Sequence, residues 1–505
     1  MQQIKIHNKS KHKPSVYQSI CLLNMPKIGL NNPPMGPAIM QSIAKELGSI
    51  VHFQDVNLSF QQWFSTNTHL LNDWCELMQP LTDSDLEQLD QFGNSLNLDT
   101  IFSSHLVGIS IFSTHSFVFT KWFLETYRNK ISGKIVVGGA GAGYQNYGKT
   151  LYEAGLVDFY VVNEGELSWR AILTNDLPFL GVNSIGGGLA DFEHVPDPDY
   201  SGYKLDQYLN SQVYGITIGV EGSRGCVRNC TFCDIKSFWK KYKFKDGVRL
   251  ANELISLKKQ YDVQHFFFND SLVNGSDRAF RDFISTLSEY NRSTQDKIRW
   301  SGYYIIKPAI TYKENDWINL RDSGVKSLFI GIESGSESVR DHMKKKFSND
   351  DIDHAMRKIQ LYGIRCTWLL IIGYPTETQE DYEQTLELLK KYQPMALDRT
   401  IDTVALGMTL GIIDGSPLSN MRTALNIRSA VPEHDDAHLS GVVWQNEHSD
   451  FKTRVLRRIQ AEELIRELGY NSWVGDNDMI AYFEKKLEQI QQSIVQVDDF
   501  AEYHG

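Results

Sequence analysis

Cysteine is scarce in this 505-residue chain: there are six, and three of them fall within eight residues of one another. So few thiols exclude a disulfide scaffold, and the clustering of three asks for a chemical reason. Long hydrophobic runs are missing too. Stretches such as Trp368 to Ile372 fall far short of the roughly 20 residues that span a bilayer. The start is polar and basic, without the apolar segment of a secretory signal. The reading is a cytoplasmic protein with no membrane association. Positive charge is in deficit, with 51 Lys plus Arg against 62 Asp plus Glu and a formal net charge of −11. The global field therefore repels a polyanion, and a nucleic-acid partner is disfavoured. The 41% hydrophobic and 22% charged content is that of a folded globular chain rather than a disordered one. Its length exceeds a single core, which predicts two domains plus an appendage.

The pattern along the chain predicts an α/β protein. Residues 1–17 read as a flexible leader. Residues 18–200 alternate short apolar runs with helical stretches, with strands expected near 20–24, 51–56, 106–112, 135–137 and 159–162; this is the pattern of a Rossmann-like, doubly wound parallel sheet. Its ligand crevice belongs at the carboxyl ends of the strands. The polar, aromatic insert from Ser59 to Asp99 reads as helices capping that sheet. A linker containing Pro196-Asp-Pro-Asp-Tyr200 leads into residues 201–400, where a second β-then-α alternation suits a partial (β/α)6 barrel. Residues 401–505 read as a mostly helical C-terminal region, with Lys, Arg and Glu on one face and Leu, Ile and Val on the other over 450–492.

The three clustered cysteines lie in Glu221-Gly-Ser-Arg-Gly-Cys226-Val-Arg-Asn-Cys230-Thr-Phe-Cys233. Thiolates at such intervals can wrap a compact iron–sulfur cube from one loop, and three of them leave one iron without a protein ligand and open to a substrate. Structural zinc wants four ligands in a closed tetrahedron, and the nearby sequence offers no obvious fourth. Arg224 and Arg228 flank the loop; they either tune its charge or are simply solvated. Cys21 and Cys366 lie in apolar strand-like runs and read, with Cys75, as core thiols.

The Cys226-x3-Cys230-x2-Cys233 spacing after a first barrel strand, with Phe232 before the last cysteine, resembles the signature of radical S-adenosylmethionine (SAM) enzymes. The resemblance covers residues 212 to 395. It implies a four-iron, four-sulfur cluster held by Cys226, Cys230 and Cys233, with the amino and carboxyl groups of SAM on the open iron, and reductive cleavage of SAM to a 5′-deoxyadenosyl radical. Further matches imply cofactor contacts: Phe266-Phe-Phe-Asn-Asp-Ser271 brings Asp270 near the methionine moiety, or else Asp270 is a turn residue. Gly331-Ile-Glu-Ser-Gly-Ser336 brings Glu333 and Ser334 to the methionine or ribose. In Leu370-Ile-Ile-Gly-Tyr-Pro-Thr-Glu-Thr378, Gly373 admits close backbone approach on the adenine side. Tyr303, Tyr304, Trp368 and Tyr374 are candidate walls of a substrate pocket, or plain packing.

The first domain resembles the cobalamin-binding domain that precedes the radical SAM barrel in a large subgroup. The resemblance rests on the order of Pro33-Pro-Met-Gly36, Asp55-Val-Asn57, Gly138-Gly139 and Val162-Asn-Glu-Gly-Glu166. It implies a corrin site involving Pro34, Gly36, Asp55, Asn57, Gly138, Gly139, Glu164 and Glu166, with Gly141 adding a further small residue. It departs from the histidine-ligating cobalamin pattern: no histidine follows Asp55 at the expected place, and His115 is either a corrin contact or a surface residue. Cobalamin would be bound without a lower histidine, or the domain is a scaffold only.

The resemblance implies cobalamin-dependent methyl transfer to a small-molecule substrate, with an electron donor such as flavodoxin or ferredoxin as partner. Cobalamin-independent cyclisation, rearrangement or sulfur insertion is the alternative within enzymes, and a non-catalytic cluster or corrin sensor is the alternative outside them. The tRNA-methylthiolating branch is disfavoured because Cys21 and Cys75 do not supply its additional clustered cysteines.

Overall fold

The fold was obtained as a computed structural model. It describes residues 13–26, 29–65, 81–144, 146–176, 184–186, 192, 195–407, 409–429 and 441–474. Cys75, the leader through residue 12, the middle of the 59–99 insert and the tail beyond 474 lie outside the described residues. The chain divides into two compact units, residues 1–219 and 220–505.

The first unit is built on a six-stranded sheet. Its strands are β1 (Ser19–Asn24), β2 (Ile50–Asp55), β3 (Leu106–Ser110), β4 (Lys134–Gly138), β5 (Phe159–Val162) and β6 (Ser184–Gly186). Their order is β2-β1-β3-β4-β5-β6, and every pairing is parallel. The order reverses between β1 and β3, as expected of a doubly wound sheet. β1 is buried along nearly its whole length, because a parallel strand covered on both faces needs apolar residues at successive positions. One core lies on each face. Leu23, Val107, Ile109 and Ile135 pack with Phe60, Phe92 and Phe119 in one; Ile20, Leu22 and Val136 pack with Ile39, Ile43 and Trp169 in the other. Helices Val56–Ser65 and Asp83–Ser95 occupy the described parts of the insert. β6 is a short strand that the sequence pattern did not reveal.

The second unit carries a seven-stranded sheet. In chain order its strands are Thr217–Val220, at which the chain passes between the units, then His265–Phe268, Trp300–Tyr304, Val325–Glu333, Cys366–Leu370, Ile401–Leu406 and Asn471–Val474. They are neighbours in that same order, and the five registered pairs among them are parallel. The helices between them start at side-chain caps the sequence supplies. Asp246 accepts from the Val248 and Arg249 N–H groups, Ser276 from Ala279, and Thr378 forms a reciprocal box with Asp381, each relieving the unpaired donors of a helix start.

Four strands fall in the region read as mostly helical: Ile401–Leu406 and Asn471–Val474 of the main sheet, and the short antiparallel pair Arg428–Ser429 and Trp444–Gln445. The described helix there, Phe451–Glu467, does not segregate charge from apolar residues: its buried residues include Arg454, Arg457 and Arg458 beside Phe451, Val455 and Ile465. The charged face expected to meet water is partly an inward face. Among the described residues no helix is long and apolar enough to cross a membrane.

Candidate functional site

The cysteine loop starts directly after the strand Thr217–Val220 and is held from below by Asp270. That carboxylate accepts from the Gly222 N–H at 2.8 Å and is 2.5 Å from the Ser223 hydroxyl, which lies 3.1 Å from the Leu272 carbonyl. Asp270 is 2% exposed, and burial pushes its carboxyl up to about 8 against the opposing hydrogen bonds from Ser223 and Gly222. The neutral acid can donate to Ser223, which then donates to Leu272, so the three groups form one consistent chain. The sequence offered Asp270 as a methionine contact or a turn residue; its observed partners are those of a residue that shapes the approach to the cysteine loop.

Cys226, Cys230 and Cys233 are all half-buried free thiols. The loop closes on itself through Cys233 N–H to the Cys230 carbonyl at 3.2 Å, and the Arg228 N–H points at the Cys226 sulfur at 3.3 Å. Lys236 Nζ donates to the Cys226 carbonyl at 2.6 Å. Thr231, between the cysteines, donates its N–H to the Met343 carbonyl, receives the Leu418 N–H, and pairs its hydroxyl with Tyr374 at 2.8 Å. Burial pushes the Cys230 thiol up to about 11 and raises Cys233 as well. Such thiols ionise when an iron supplies positive charge, as metal-bound thiols do. Among the described residues no set of three or more His, Cys, Asp or Glu side chains closes around a single metal ion. Three free, half-buried thiols on one loop suit the wider span of a four-iron cluster, so the donor set fits that group.

Beside the loop stands a buried ion pair. Lys345 Nζ donates to Glu333 Oε1 at 2.8 Å, with each side chain 10% exposed. Burial pulls the Lys345 ammonium down, but Glu333 and Cys230 outweigh it and hold it above the ordinary lysine range. Glu333 was expected from its motif; Lys345 was not, because it stands in a Lys344-Lys345-Lys346 run that reads as solvated charge. Ser334 is wholly buried and already engaged: its hydroxyl receives the Ser336 N–H at 3.1 Å and pairs with Thr385, while its carbonyl receives Arg340 at 2.6 Å. Those bonds shape the turn.

Gly373 has φ +83°, and its open side is already filled. A Cβ there would lie 2.3 Å from Arg454 Cδ, so the close approach this glycine permits is that of an arginine from the helix Phe451–Glu467. Its N–H donates to Glu377 Oε1 at 3.0 Å, and Arg457 donates to the same oxygen at 3.2 Å. Burial pushes Glu377 up to about 7, against Arg457. Neither arginine was legible as part of this region. Arg224 is paired with Glu221 at 2.8 Å and lies over the Trp239 ring, which removes the simply solvated reading. Of the aromatic candidates, Tyr304, Trp368 and Tyr374 are buried packing residues and Tyr303 is exposed.

In the first unit, Asp55 ends β2 and is spent on its surroundings. It accepts from Asn24 Nδ2 and the Leu58 N–H, both at 3.0 Å, and from the Tyr208 hydroxyl. Burial raises its carboxyl all the same. Asn57, Glu164 and Glu166 are buried. Gly139, at φ +98°, and Gly141 let the turn after β4 press on the end of β3: added Cβ atoms would lie 2.6 Å from the Ile111 carbonyl and 3.2 Å from that of Phe112. Their close contacts are thus with backbone of the same unit. Gly138 is in ordinary contact with Val161, and Gly36, next to Pro34 at the start of the helix Met35–Glu46, faces open space. His115 is half-buried. A cavity of about 420 Å³ lies at the carboxyl end of β2, lined by Gln54, Asp55, Ser59, Asn97 and Lys204 among others.

Residues 220–389 match the profile of the radical SAM superfamily, so the second unit carries a radical SAM domain. An uncharacterized methyltransferase of Pyrococcus horikoshii is 25% identical over 48% of this chain and 54% of its own length. The anaerobic magnesium-protoporphyrin IX monomethyl ester cyclase of Cereibacter sphaeroides is 24% identical over 39% of this chain and 32% of its own. The chain thus spans about half or less of these curated relatives. Among solved structures, the radical SAM methyltransferase TsrM of Kitasatospora setae, determined with cobalamin and a four-iron, four-sulfur cluster bound, superposes with a TM-score of 0.60. That match covers 89% of both chains at 15% identity, a likeness of fold.

Proposed function

From the premise of a radical SAM domain at residues 220–389, we propose that the chain is a radical SAM enzyme that cleaves SAM reductively and transfers a methyl group to a small-molecule substrate with the help of cobalamin. The observation that carries the reading is the loop of three half-buried free thiols beside the Glu333–Lys345 pair. When bound, the cluster supplies the electron that splits SAM into methionine and a 5′-deoxyadenosyl radical. Cys226, Cys230 and Cys233 would hold the cluster; Asp270 sets the backbone ahead of them through Gly222 and Ser223. Glu333, already oriented by Lys345, is the carboxylate available to an amino group. Tyr374, Leu418 and Trp444, which pack with Val339 and Met343 and against Phe232 of the loop, form an apolar wall beside it.

Cobalamin would supply the methyl group. Gly36 with its open face, and the cavity beside Gln54, Asp55 and Lys204, leave room at strand ends of the first unit for part of such a ligand. The likeness to a cobalamin-bound methyltransferase over 89% of the chain supports this assignment. A flavodoxin- or ferredoxin-type protein would deliver the electron. The second reading, radical cyclisation without methyl transfer, draws on the relative named as a cyclase. The experiment is anaerobic incubation of the reconstituted protein with hydroxocobalamin, desalting, and a spectrum of the corrin bands retained. Stoichiometric retention is expected; none beside an intact cluster would remove cobalamin and move cyclisation ahead.

A further inference from the structure

On the reading that Cys226, Cys230 and Cys233 hold a four-iron cluster, we infer that Lys345 is a built-in electrostatic partner of that cluster. Its buried charge, balanced by Glu333, sets the potential at which the cluster takes up an electron.

Backbone geometry carries the first part of the argument. Lys344 and Lys346 both lie in the left-handed region, at φ 59° and 58°, and Glu333 does so at φ 67°. Non-glycine residues adopt that conformation at a cost, which persists where surrounding structure imposes it, characteristically at functional sites. Here the two strained lysines flank Lys345, which is 8% exposed while Lys344 and Lys346 remain exposed. The run Met343-Lys-Lys-Lys346 would be solvated in an ordinary turn; it is bent so that one ammonium enters the interior.

The destination of that ammonium carries the second part. Lys345 Nζ lies 2.8 Å from Glu333 Oε1, 6.0 Å from the ring centre of Phe232 and 5.8 Å from that of Phe347. Phe232 stands between Cys230 and Cys233, so the charge sits against the cysteine loop itself. Gly331 makes the space: a Cβ there would lie 2.2 Å from Glu333 Oε1 and 3.0 Å from Lys345 Nζ.

A three-thiolate cluster gains a negative charge when it is reduced. A cation fixed beside it, where water screens little, favours the reduced form, and a neighbouring carboxylate opposes this. Lys345 and Glu333 therefore act with opposite sign on the same equilibrium.

The test is a redox titration, followed by electron paramagnetic resonance, of the full-length reconstituted protein without SAM. K345M is expected to change the oxidised-to-reduced ratio at fixed potential at least tenfold toward oxidised, equivalent to about 59 mV for one electron. K345R should stay near the wild type, and E333Q should move the other way. An unmoved potential in a cluster-loaded K345M, or shifts of K345M and E333Q in the same direction, overturns the inference while leaving the cluster reading intact. If K345M does not load, E333Q decides: a raised potential supports the role and an unchanged one refutes it. Failure of the wild type to hold a four-iron cluster removes the reading on which the inference rests.

Discussion

A half-buried acid of the first unit and two buried acids of the second are held in different ways. In the first, Asp55 is hydrogen-bonded by Asn24, Leu58 and Tyr208, all close in the fold, and anchors a strand end to the following helix. In the second, Glu333 and Glu377 are each paired with a cation, Lys345 and Arg457, brought from elsewhere in the unit. Neutral hydrogen-bond donors fix a conformation without leaving a charge to be used. Buried ion pairs are expensive to assemble, and ionisable groups perturbed in this way cluster at functional sites. Asp55 thus fixes a strand end, and the Glu333–Lys345 pair stands beside the cysteine loop.

The largest effect expected is all-or-none. Replacing Cys226, Cys230 or Cys233 with Ala should abolish the four-iron cluster, read as iron and sulfide content and the loss of its absorption, while changes at Asp55 leave it intact. Retention of a full cluster by any single cysteine variant would break the contrast between the units. Next, R457M should destabilise the second unit by about 3 kcal/mol, the low end for breaking a buried pair, because Glu377, already pushed up to about 7, can take a proton. Denaturant midpoints measure this, and R457M/E377L should recover most of the loss. In the first unit, Gly139→Ala should cost about 2 kcal/mol through its left-handed backbone and the Ile111 carbonyl 2.6 Å away; an unchanged midpoint would show that the β3–β4 turn relaxes freely.

An effect of comparable size, spread over pH, is expected at Asp270. Asp270 sits at about 8 in the folded chain against about 3.9 unfolded. The folded state therefore binds the extra proton, and its stabilisation is full below about pH 4 and lost as pH rises toward 8. Across that window wild type should lose stability relative to D270N by up to about 1.4 kcal/mol per pH unit. Denaturant midpoints of both proteins at pH 5.5 and 8 check this. A difference that does not change with pH would mean that Asp270 stays ionised on its bonds to Gly222 and Ser223.

The cysteine loop and the parallel strands were legible in the sequence because both signals are local: a spacing of thiols, and short apolar runs between helices. What escaped depended on tertiary direction. Lys345 reads as one of three solvated lysines until Lys344 and Lys346 turn left-handed and send it inward. Arg454 and Arg457 read as the wet face of a helix, because charge is an ordinary sign of exposure, yet they fill the space above Gly373 and pair with Glu377. The glycines after β4 were expected to admit a corrin; sequence alone does not say that the groups closest to Gly139 and Gly141 are the backbone of Ile111 and Phe112. Ile401–Leu406 went unread because its short apolar run follows the last evident β-then-α repeat.

The most direct measurement is the yield of 5′-deoxyadenosine and methionine from SAM by the anaerobically reconstituted, chemically reduced full-length protein. The account predicts both products in equal amounts, dependent on the cluster and absent from each cysteine variant. A protein with a full complement of four-iron cluster that leaves SAM intact would contradict it.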